Sequence, residues 1–274
     1  RHVESGETYV TPAAVLVRST EGKGPASRAL HRWARTHVVR DGDRPRAIAF
    51  NNWEAMGFNL TTESVNQVAD GAADIGAELF LLDDGWFGGR RGETAGLGDW
   101  WVSDAVWPDG LGPIIDHVQS LGMEFGLWVE PEMVNPDSDL YRDHPDWVLG
   151  LDPYPRMLGR NQLVLDLTNK EVTDYLYERL GALLTEYRIS YFKWDMNRDL
   201  VLPGDRSGNA AVHRQTSELY ALIDRLRKGF PDVEIESCAS GGGRIDYEIL
   251  KRTHRFWTSD SNDAVERTRI QSGF

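Results

Sequence analysis

Short apolar stretches alternate with amphipathic stretches along most of the chain. Apolar runs bounded by polar residues are typical of buried strands, whereas apolar residues spaced by three and four positions are typical of helices. The runs predict seven strands, at 47–53, 77–82, 123–129, 163–167, 189–194, 233–237 and 256–259. Helical spacing lies between them, at 61–75, 108–121, 169–187, 211–230 and 244–253, with a short helix and turn at 137–149, and another helix begins after the last strand. This alternation indicates an α/β fold, a parallel sheet with helical crossovers.

The residues before position 45 follow a different pattern. Residues 1–20 alternate weakly and predict one or two strands. Residues 21–40 have helical spacing, with Leu30, Trp33 and Val38 on one stripe. The pattern divides the chain into a segment at 1–20, a linker helix at 21–44 and a main domain at 45–274. Because the chain has no initiating Met and stops within a helical pattern, we expect it to be a fragment.

Polar side chains gather just after six of the predicted strands. They are Asn51, Asn52, Asp83, Asp84, Glu130, Glu132, Asp195, Cys238 and Asp260. A (β/α)8 TIM barrel carries its chemistry at the carboxyl ends of its strands, whereas an open doubly wound sheet binds ligands at one switch point. Polar residues after so many strands favour the barrel. An eighth strand is missing, so it lies beyond Phe274 or the count is off by one.

The stretch YFKWDMNRD at 191–199 carries the strongest chemical signal. Alternation along a strand places Lys193, Asp195 and Asn197 on one face, and Trp194 and Met196 on the other. A lysine two residues from an aspartate holds it ionised, which suits a nucleophile or a metal ligand better than a general acid. A structural ion pair at a strand end fits the same residues equally well.

Composition narrows the class of partner. The chain has 274 residues and a formal net charge of −13, which argues against a nucleic acid or an anionic membrane surface as partner. No apolar run is long enough to span a bilayer. The single cysteine excludes an internal disulfide and fits a reducing compartment. Because RHVESGETYV does not resemble a signal peptide, we expect a cytoplasmic protein.

Several residues could bind a sugar or act on it, and each could instead have a purely structural role. Asp195 and Asp260 end two strands whose ends can face each other across a barrel mouth, and two carboxylates are the minimum for glycoside hydrolysis. Asp260 could instead cap the following helix, although Asp263 suits that role better. Adjacent acids such as Asp83 and Asp84 bind vicinal hydroxyls or a metal. Trp53, Trp86 and Trp128 end the first three strands and form either a sugar platform or core.

The glycine run at 241–243 allows a close approach of backbone to a ligand. It has no following Lys-Ser/Thr, so a P-loop is not indicated. Cys238 has no obvious histidine partner and is interpreted as a packed or substrate-touching thiol.

Seven sequence motifs of the chain resemble those of the catalytic barrel of glycoside hydrolase family 36 α-galactosidases. They are LLDDGWF at 81–87, GLGDW at 96–100, GLWVEPEMVNPDSDLYRDHPDW at 126–147, GRNQLVLDLTN at 159–169, YFKWDMNR at 191–198, ESCASGGGR at 236–244 and WTSDSNDAVERTRIQSG at 257–273. The resemblance covers residues 45–274. It implies a TIM barrel truncated before its last strand, with the tail of an N-terminal β-sandwich domain at 1–20.

The resemblance also implies roles for particular residues. Asp195 falls on the nucleophile and Asp260 on the general acid/base. The implied substrate-binding residues are Trp53, Asp83, Asp84, Trp128, Arg160, Lys193, Asn197, Cys238 and Gly241. The implied enzyme is a retaining α-galactosidase that hydrolyses terminal galactose from oligosaccharides such as melibiose and raffinose, without a metal or other cofactor. The family further implies a homo-oligomer, a tetramer. Asn262 stands where the family often has Thr, a mild departure.

Two other functions remain open from the sequence. A transglycosylase of the raffinose or stachyose synthase type shares this chemistry and differs in its acceptor pocket. A metal-dependent barrel enzyme would use Asp83, Glu130 and Asp195 as ligands, although Lys193 beside them and the lack of a nearby histidine argue against it.

Overall fold

A computed structural model of the protein describes residues 3–205 and 207–273. The strands of this part of the chain are β1 (Ala49–Asn51), β2 (Leu79–Leu82), β3 (Glu124–Val129), β4 (Met133–Val134), β5 (Leu163–Val164), β6 (Tyr191–Trp194), β7 (Glu234–Ser237) and β8 (Arg255–Phe256). The helices are α1 (Lys23–His37), α2 (Trp53–Met56), α3 (Thr62–Asp74), α4 (Gly112–Ser120), α5 (Asp139–Asp143), α6 (Lys170–Glu186), α7 (Val212–Gly229), α8 (Tyr247–Leu250) and α9 (Ala264–Gln271).

Six of the strands form one parallel sheet in the order β1-β2-β3-β6-β7-β8. Side-chain hydrogen bonds at the amino ends of its two edge strands show that these strands approach each other. The Arg46 Nε donates to the carbonyl of His254 at 3.1 Å, and the Arg255 Nη1 donates to the carbonyl of Ala47 at 3.0 Å. The sheet is therefore curled, and the predicted parallel sheet with helical crossovers is confirmed.

The prediction of a fourth sheet strand at 163–167 was wrong. Strand β3 pairs directly with β6, and β5 pairs antiparallel with β4 outside the main sheet. Leu163, Val164 and Leu165 are nevertheless buried, at 5%, 5% and 1% exposure. An apolar run in a sequence predicts a buried segment but not the strand with which that segment pairs. The pattern at 163–167 therefore could not show that this segment lies outside the main sheet.

The strands predicted within residues 1–20 are also absent from the described part, residues 3–20. Val10 and Leu16 are 78% and 94% exposed. A strand needs a neighbour to satisfy its backbone groups, and no described segment supplies one here. The part of this prediction that concerns residues 1 and 2 lies outside the described residues.

Helix positions follow the sequence pattern closely, and their caps explain why. Thr61 and Ser64 form a reciprocal capping box at the start of α3, and the Asn169 side chain accepts from the Glu171 N–H at the start of α6. Asp263 caps α9 by accepting from the Glu266 N–H at 2.8 Å. Helix α8 is clearly shorter than its predicted span, 244–253, α4 begins four residues later than the predicted residue 108, and the short helix α2 was not predicted.

Alternation along the strands sorts the core into two layers. Leu79, Leu81 and Tyr191 pack together on the inner side of the curled sheet, apart from the larger cluster on which the helices pack. A Cβ on Gly126 would lie 3.0 Å from the Tyr191 ring and 3.1 Å from Leu81, so a larger residue here would require these side chains to shift. The same alternation directs side chains into the interior at the carboxyl ends of the strands.

Candidate active site

A cavity of about 350 Å³ opens at the carboxyl ends of the sheet strands. Nine of the eleven predicted site residues line it: Trp53, Asp83, Asp84, Trp128, Arg160, Lys193, Asp195, Asn197 and Asp260. The volume is that of a small-molecule site, and the lining combines aromatic rings with carboxylates and cations. Cys238 and Gly241, the other two predicted residues, contact this lining from behind.

Asp195 follows directly after β6 and is only 6% exposed. Its Oδ2 accepts hydrogen bonds from the Trp128 Nε1 at 3.1 Å and the Asn197 Nδ2 at 2.8 Å. Its Oδ1 accepts from the Met196 N–H at 2.8 Å. These donors fix the carboxylate plane. The predicted alternation of side chains along 193–197 is confirmed. Lys193, Asp195 and Asn197 line the cavity, whereas Trp194 and Met196 belong to the outer apolar cluster.

The charge state of Asp195 is set by opposing effects. Burial raises its pKa, but the Lys193 ammonium and the hydrogen bonds that Asp195 accepts, including one from Cys238, outweigh burial and leave the pKa below its ordinary value. Burial lowers the pKa of Lys193, yet the negative charges of Asp83 and Asp195 raise it above its ordinary value. The pair is therefore ionised at neutral pH, as predicted from the sequence.

The direct partner of Lys193 is Asp83. The Lys193 Nζ lies 3.0 Å from the Asp83 Oδ2, and the two side chains are 10% and 5% exposed. The Asn51 Nδ2 donates to the same oxygen at 2.5 Å. Because β2 and β6 lie on either side of β3 in the sheet, this ion pair spans the interior of the curl. One lysine thus serves carboxylates on two strand ends.

Asp84 is held by a different cation, Arg90, from the glycine-rich loop after β2. The Arg90 Nη2 lies 2.8 Å from the Asp84 Oδ2, and its Nε lies 3.0 Å from the Oδ1. The Arg90 Nη1 donates to the Asn135 Oδ1 at 3.0 Å. Burial raises the pKa of Asp84, and this two-point contact with Arg90 acts against the rise. Arg90 therefore both orients the carboxylate and favours its ionised form.

Asp260 lies on the exposed side of the cavity, after β8. Its Oδ1 accepts from the Trp257 Nε1 at 2.8 Å. The Trp257 ring lies between two cations, with the Lys193 Nζ at 5.6 Å and the Arg267 guanidinium carbon at 4.2 Å from its centroid. Because Asp263 caps α9, the helix-cap interpretation of Asp260 was wrong.

Cys238 and Gly241 support the two carboxylates from outside the cavity. Cys238 is 1% exposed, and burial and the neighbouring Asp195 raise the pKa of its thiol. The thiol is therefore neutral and donates to Asp195. Gly241 has a φ of +84°, and a Cβ there would lie 2.7 Å from the Ser259 Cα. Glycine thus lets this loop pack against the segment that carries Asp260.

The aromatic and cationic rim differs from the prediction at one residue. Trp53 lies edge-on to Phe58 with ring centroids 5.1 Å apart, and it lines the cavity together with Trp128. Trp86 does not, because it is fully buried in the core and donates its Nε1 to the carbonyl of Trp128 at 2.9 Å. Arg160 lines the cavity from a loop and lies 3.6 Å from Glu93.

Sequence reasoning assigned no role to several residues that shape this site. They are Asn51, Arg90, Trp257 and Glu236, the last a buried cavity residue whose carboxyl accepts from the Tyr191 hydroxyl at 2.6 Å. Asn51 had a signal, since it is a polar residue at the end of a strand. Arg90 had only its place in a glycine-rich loop, and its partner is six residues earlier in a turn that no periodicity describes.

Chemically, the cavity offers hydrogen-bond acceptors to a polyhydroxylated ligand, cations that keep those acceptors ionised, and aromatic walls. No group of three or more His, Cys, Asp or Glu side chains among the described residues is arranged to hold a metal ion. None of the helices in the described ranges is long and apolar enough to cross a bilayer.

The sequence from residue 8 to residue 274 matches the family Melibiase. The chain belongs to this family. It is 50% identical to an α-galactosidase of Escherichia coli and 44% identical to the α-galactosidase AgaA of Geobacillus stearothermophilus, in each case over 99% of the chain. Each match covers 38% of the relative, so the chain spans well under half the length of these proteins.

Solved structures of glycoside hydrolase family 36 α-galactosidases match the fold of this Melibiase chain. A substituted form of AgaA in complex with 1-deoxygalactonojirimycin superimposes with a TM-score of 0.89 at 43% identity, over 93% of this chain and 36% of the other. Another, in complex with raffinose, gives a TM-score of 0.88 at 43% identity, over 92% and 36%. The resemblance stated from the sequence motifs is confirmed.

Proposed function

We propose that the protein is a retaining α-galactosidase that hydrolyses terminal α-linked galactose from oligosaccharides such as melibiose and raffinose. The observation that carries the proposal is that Asp195 and Asp260 line one cavity, with Asp195 held ionised by Lys193. The names of the relatives and the raffinose complex of AgaA support the substrate class. The proposal applies to the whole protein, of which these residues supply the catalytic cavity.

In the first step the Asp195 carboxylate attacks the anomeric carbon from the face opposite the leaving group. The C–O bond to the leaving sugar breaks as Asp260 gives its proton to that oxygen, and a β-linked galactosyl ester forms on Asp195. In the second step the Asp260 carboxylate takes a proton from water. The water oxygen attacks the anomeric carbon, the ester bond breaks, and α-galactose is released.

The remaining residues would bind the galactose. Asp83 and Asp84 line the cavity, and their carboxylate oxygens would accept hydrogen bonds from adjacent hydroxyls. Lys193 and Arg160 would donate to hydroxyl oxygens, and Trp53 and Trp128 would form the apolar walls on which sugar C–H faces pack. Cys238, Asn197 and Gly241 would shape the side of the cavity next to the nucleophile.

The test is hydrolysis of p-nitrophenyl α-D-galactoside by the natural protein, with proton NMR of the first sugar anomer formed. Retention produces α-galactose first, and inversion produces β-galactose first and would contradict the covalent mechanism. No release of p-nitrophenol would contradict the function itself. Azide should rescue both variants with opposite outcomes: β-galactosyl azide from Asp195→Ala and α-galactosyl azide from Asp260→Ala.

The two alternatives are separated by simple measurements. A transglycosylase transfers galactose to an added sugar acceptor in preference to water, which product analysis detects. A metal-dependent enzyme loses activity with a chelator. The Lys193 ammonium and the Asn51 amide already occupy the Asp83 Oδ2 that such an enzyme would use as a metal ligand, which favours the α-galactosidase.

We also propose the domain arrangement that the family resemblance implies. Residues 45–274 would belong to a (β/α)8 barrel, with a linker helix at 21–44 and residues 1–20 as the tail of a preceding β domain. The protein would act in the cytoplasm as a homo-oligomer, without nucleic acid or membrane partners. Sedimentation of the natural protein tests the oligomer, and limited proteolysis near residue 44 tests the division.

A further inference from the structure

The backbone that carries Asp195 is fastened to the end of β3. The Asp195 N–H donates to the carbonyl of Val129 at 2.8 Å, one position beyond the paired strands. In a parallel ladder the next N–H of β6 to pair, that of Asn197, would donate to the carbonyl of Pro131. It donates instead to the side chain of Glu130, with 2.5 Å to the Oε1. The Glu130 carboxyl therefore replaces a backbone carbonyl as the last acceptor of the ladder.

The second oxygen of Glu130 is also used within the protein. Its Oε2 accepts from the Gln162 Nε2 at 3.0 Å. Glu130 is 1% exposed and is not among the described residues that line the cavity. Burying a carboxyl group costs free energy, and the oxygens of Glu130 accept from protein groups and do not line the cavity. The position of the group points to a role in the arrangement of its neighbours.

The neighbour that matters is Asn197. Its Nδ2 donates to the Asp195 Oδ2 at 2.8 Å, and its Oδ1 accepts from the Ser240 Oγ at 3.0 Å. Glu130 holds the backbone of the residue whose side chain aligns the proposed nucleophile. A shift of this backbone would move the amide donor away from Asp195 and rotate the carboxylate.

We propose that Glu130 is a positioning residue, which extends the β3–β6 ladder through its side chain and so fixes Asn197 and the attacking carboxylate of Asp195. This inference rests on the proposed function for the chemical role of Asp195. The contacts that define it belong to the fold and can be tested without activity.

The charge state of Glu130 suits this role. Burial, and then the negative charge of Asp195, raise its pKa to about 8, against the effect of the Asn197 backbone N–H. The other charged group that acts on it is Asp84, at the end of β2. At pH 6–7 the group is therefore a neutral acid. It supplies an acceptor without placing a second negative charge beside Asp195.

The experiment compares three variants of the natural protein by steady-state kinetics from pH 5 to 9 and by melting temperature. Glu130→Leu removes the acceptor, and we expect kcat to fall on the order of 100-fold while KM changes less than about 3-fold. Glu130→Gln keeps a carbonyl acceptor and should retain kcat within about 3-fold at pH 6–7. Because glutamine does not ionise, any fall in the wild-type kcat between pH 7 and 9 that follows ionisation of Glu130 should be absent from this variant.

The control is Glu132→Gln, two residues further on. The Glu132 Oε1 accepts from the Trp194 Nε1 at 3.0 Å and from the Arg244 Nη1 at 2.6 Å, away from Asn197. We expect a lower melting temperature with little change in kcat. If Glu130→Leu kept the wild-type kcat, or if Glu130→Gln were as impaired as Glu130→Leu, the positioning role would be wrong.

Failure of the proposed function can be recognised separately. An inactive wild-type protein would contradict the α-galactosidase and leave the positioning contacts to be judged by structure. A crystal structure of Glu130→Leu then decides. Displacement of Asn197 and rotation of the Asp195 carboxylate support the inference, and an unmoved Asn197 overturns it.

Discussion

Charged side chains that are buried or partly buried occur at both ends of the curled sheet, but their hydrogen bonds go to different places. At the amino ends of the strands, the Arg46 and Arg255 guanidinium groups donate to backbone carbonyls across the gap between β1 and β8, and Arg255 also pairs with Glu234 at 3.2 Å. At the carboxyl ends, Asp83 and Asp195 are paired yet still line a cavity of about 350 Å³. Burial of charge alone therefore does not mark a functional site. A functional site is marked by hydrogen-bond acceptors that are paired within the protein and still face a cavity.

The two ends should consequently respond differently to mutation. Substitution at the amino end removes contacts that hold the curl together, so it should lower the free energy of unfolding and leave turnover unchanged. Substitution at the carboxyl end removes groups that are arranged for a ligand, so it should lower activity with a smaller effect on stability. The following substitutions test this contrast.

The largest effect is expected for Asp195→Asn. The amide keeps the shape of the side chain but is a far weaker nucleophile, so kcat should fall on the order of 10⁴-fold. The measurement is hydrolysis of p-nitrophenyl α-D-galactoside, together with a thermal melt. We expect the melting temperature to change by only about 5 °C or less.

The matched control is Asp166→Asn, another buried carboxylate outside the cavity lining. Asp166 is 2% exposed, and its Oδ1 accepts from the Thr168 N–H at 3.0 Å and the Thr168 hydroxyl at 2.6 Å. This variant should lose stability and keep its kcat. Equal losses of activity in the two variants would mean that the loss of any buried carboxylate, and not the cavity position of Asp195, causes the effect.

The second effect concerns two arginines, Arg90 and Arg255, each replaced by lysine. Lysine cannot reproduce the two-point contact of Arg90 with Asp84, so Asp84 should take up a proton more readily and bind hydroxyls less well. We expect kcat/KM to fall about 100-fold in Arg90→Lys, mainly through KM. Arg255→Lys should lower the melting temperature and leave kcat/KM within about 2-fold. The reverse pattern would contradict the assignment of the two ends.

A smaller effect is expected for Trp257→Phe. The ring face that meets Lys193 and Arg267 is kept, but the hydrogen bond from Nε1 to the Asp260 Oδ1 is lost. In the proposed first step Asp260 is the proton donor, and a hydrogen bond between neutral groups is worth about 0.5–1.5 kcal/mol, so kcat should fall by roughly 2- to 10-fold. The change should be larger for substrates with poor leaving groups, because those depend most on the proton from Asp260. A uniform change across leaving groups would mean that Trp257 acts on binding alone.

The sequence predicts much of this fold, because strand and helix periods and the capping residues are local properties. For example, the starts of three helices are predicted by their N-cap residues, which bond to backbone or side-chain groups no more than four positions away: Thr61, Asn169 and Asp263. Which strands pair with each other, in contrast, depends on residues that are far apart in the sequence. The run at 163–167 has the composition of a buried strand, yet it pairs with β4, since only the three-dimensional arrangement shows that β3 and β6 are already neighbours.

The same limit applies to the site. Residues directly after strands, such as Asp83 and Asp195, can be predicted because a parallel sheet brings its carboxyl ends together. Arg90 follows no strand directly, and Glu130, although it directly follows β3, could be placed at this edge but not given its role. Arg90 reaches Asp84 through a loop turn, and Glu130 acts only because the chain bends at Pro131 and leaves Asn197 without a backbone acceptor.

The smallest effect on activity is expected at the amino end, for His254→Gln. The His254 Nδ1 accepts from the Ile235 N–H at 3.1 Å, so its neutral form carries the proton on Nε2. Burial, and then the positive charges of Arg227 and Arg46, lower its pKa to about 4. Between pH 6.5 and 4 the unfolded chain binds a proton that the folded chain does not bind. The free energy of unfolding should therefore fall as the pH falls through this window. Glutamine can accept from Ile235 without titrating, so wild type should lose on the order of 5 °C more in melting temperature than the variant between pH 7 and 4.

Turnover of His254→Gln at pH 7 should be unchanged. The control is His117→Gln, at a partly exposed histidine on α4, whose melting temperature should change with pH as that of wild type does. Parallel melting curves for wild type and His254→Gln would mean that acid destabilises the protein elsewhere, among the carboxylates of the cavity.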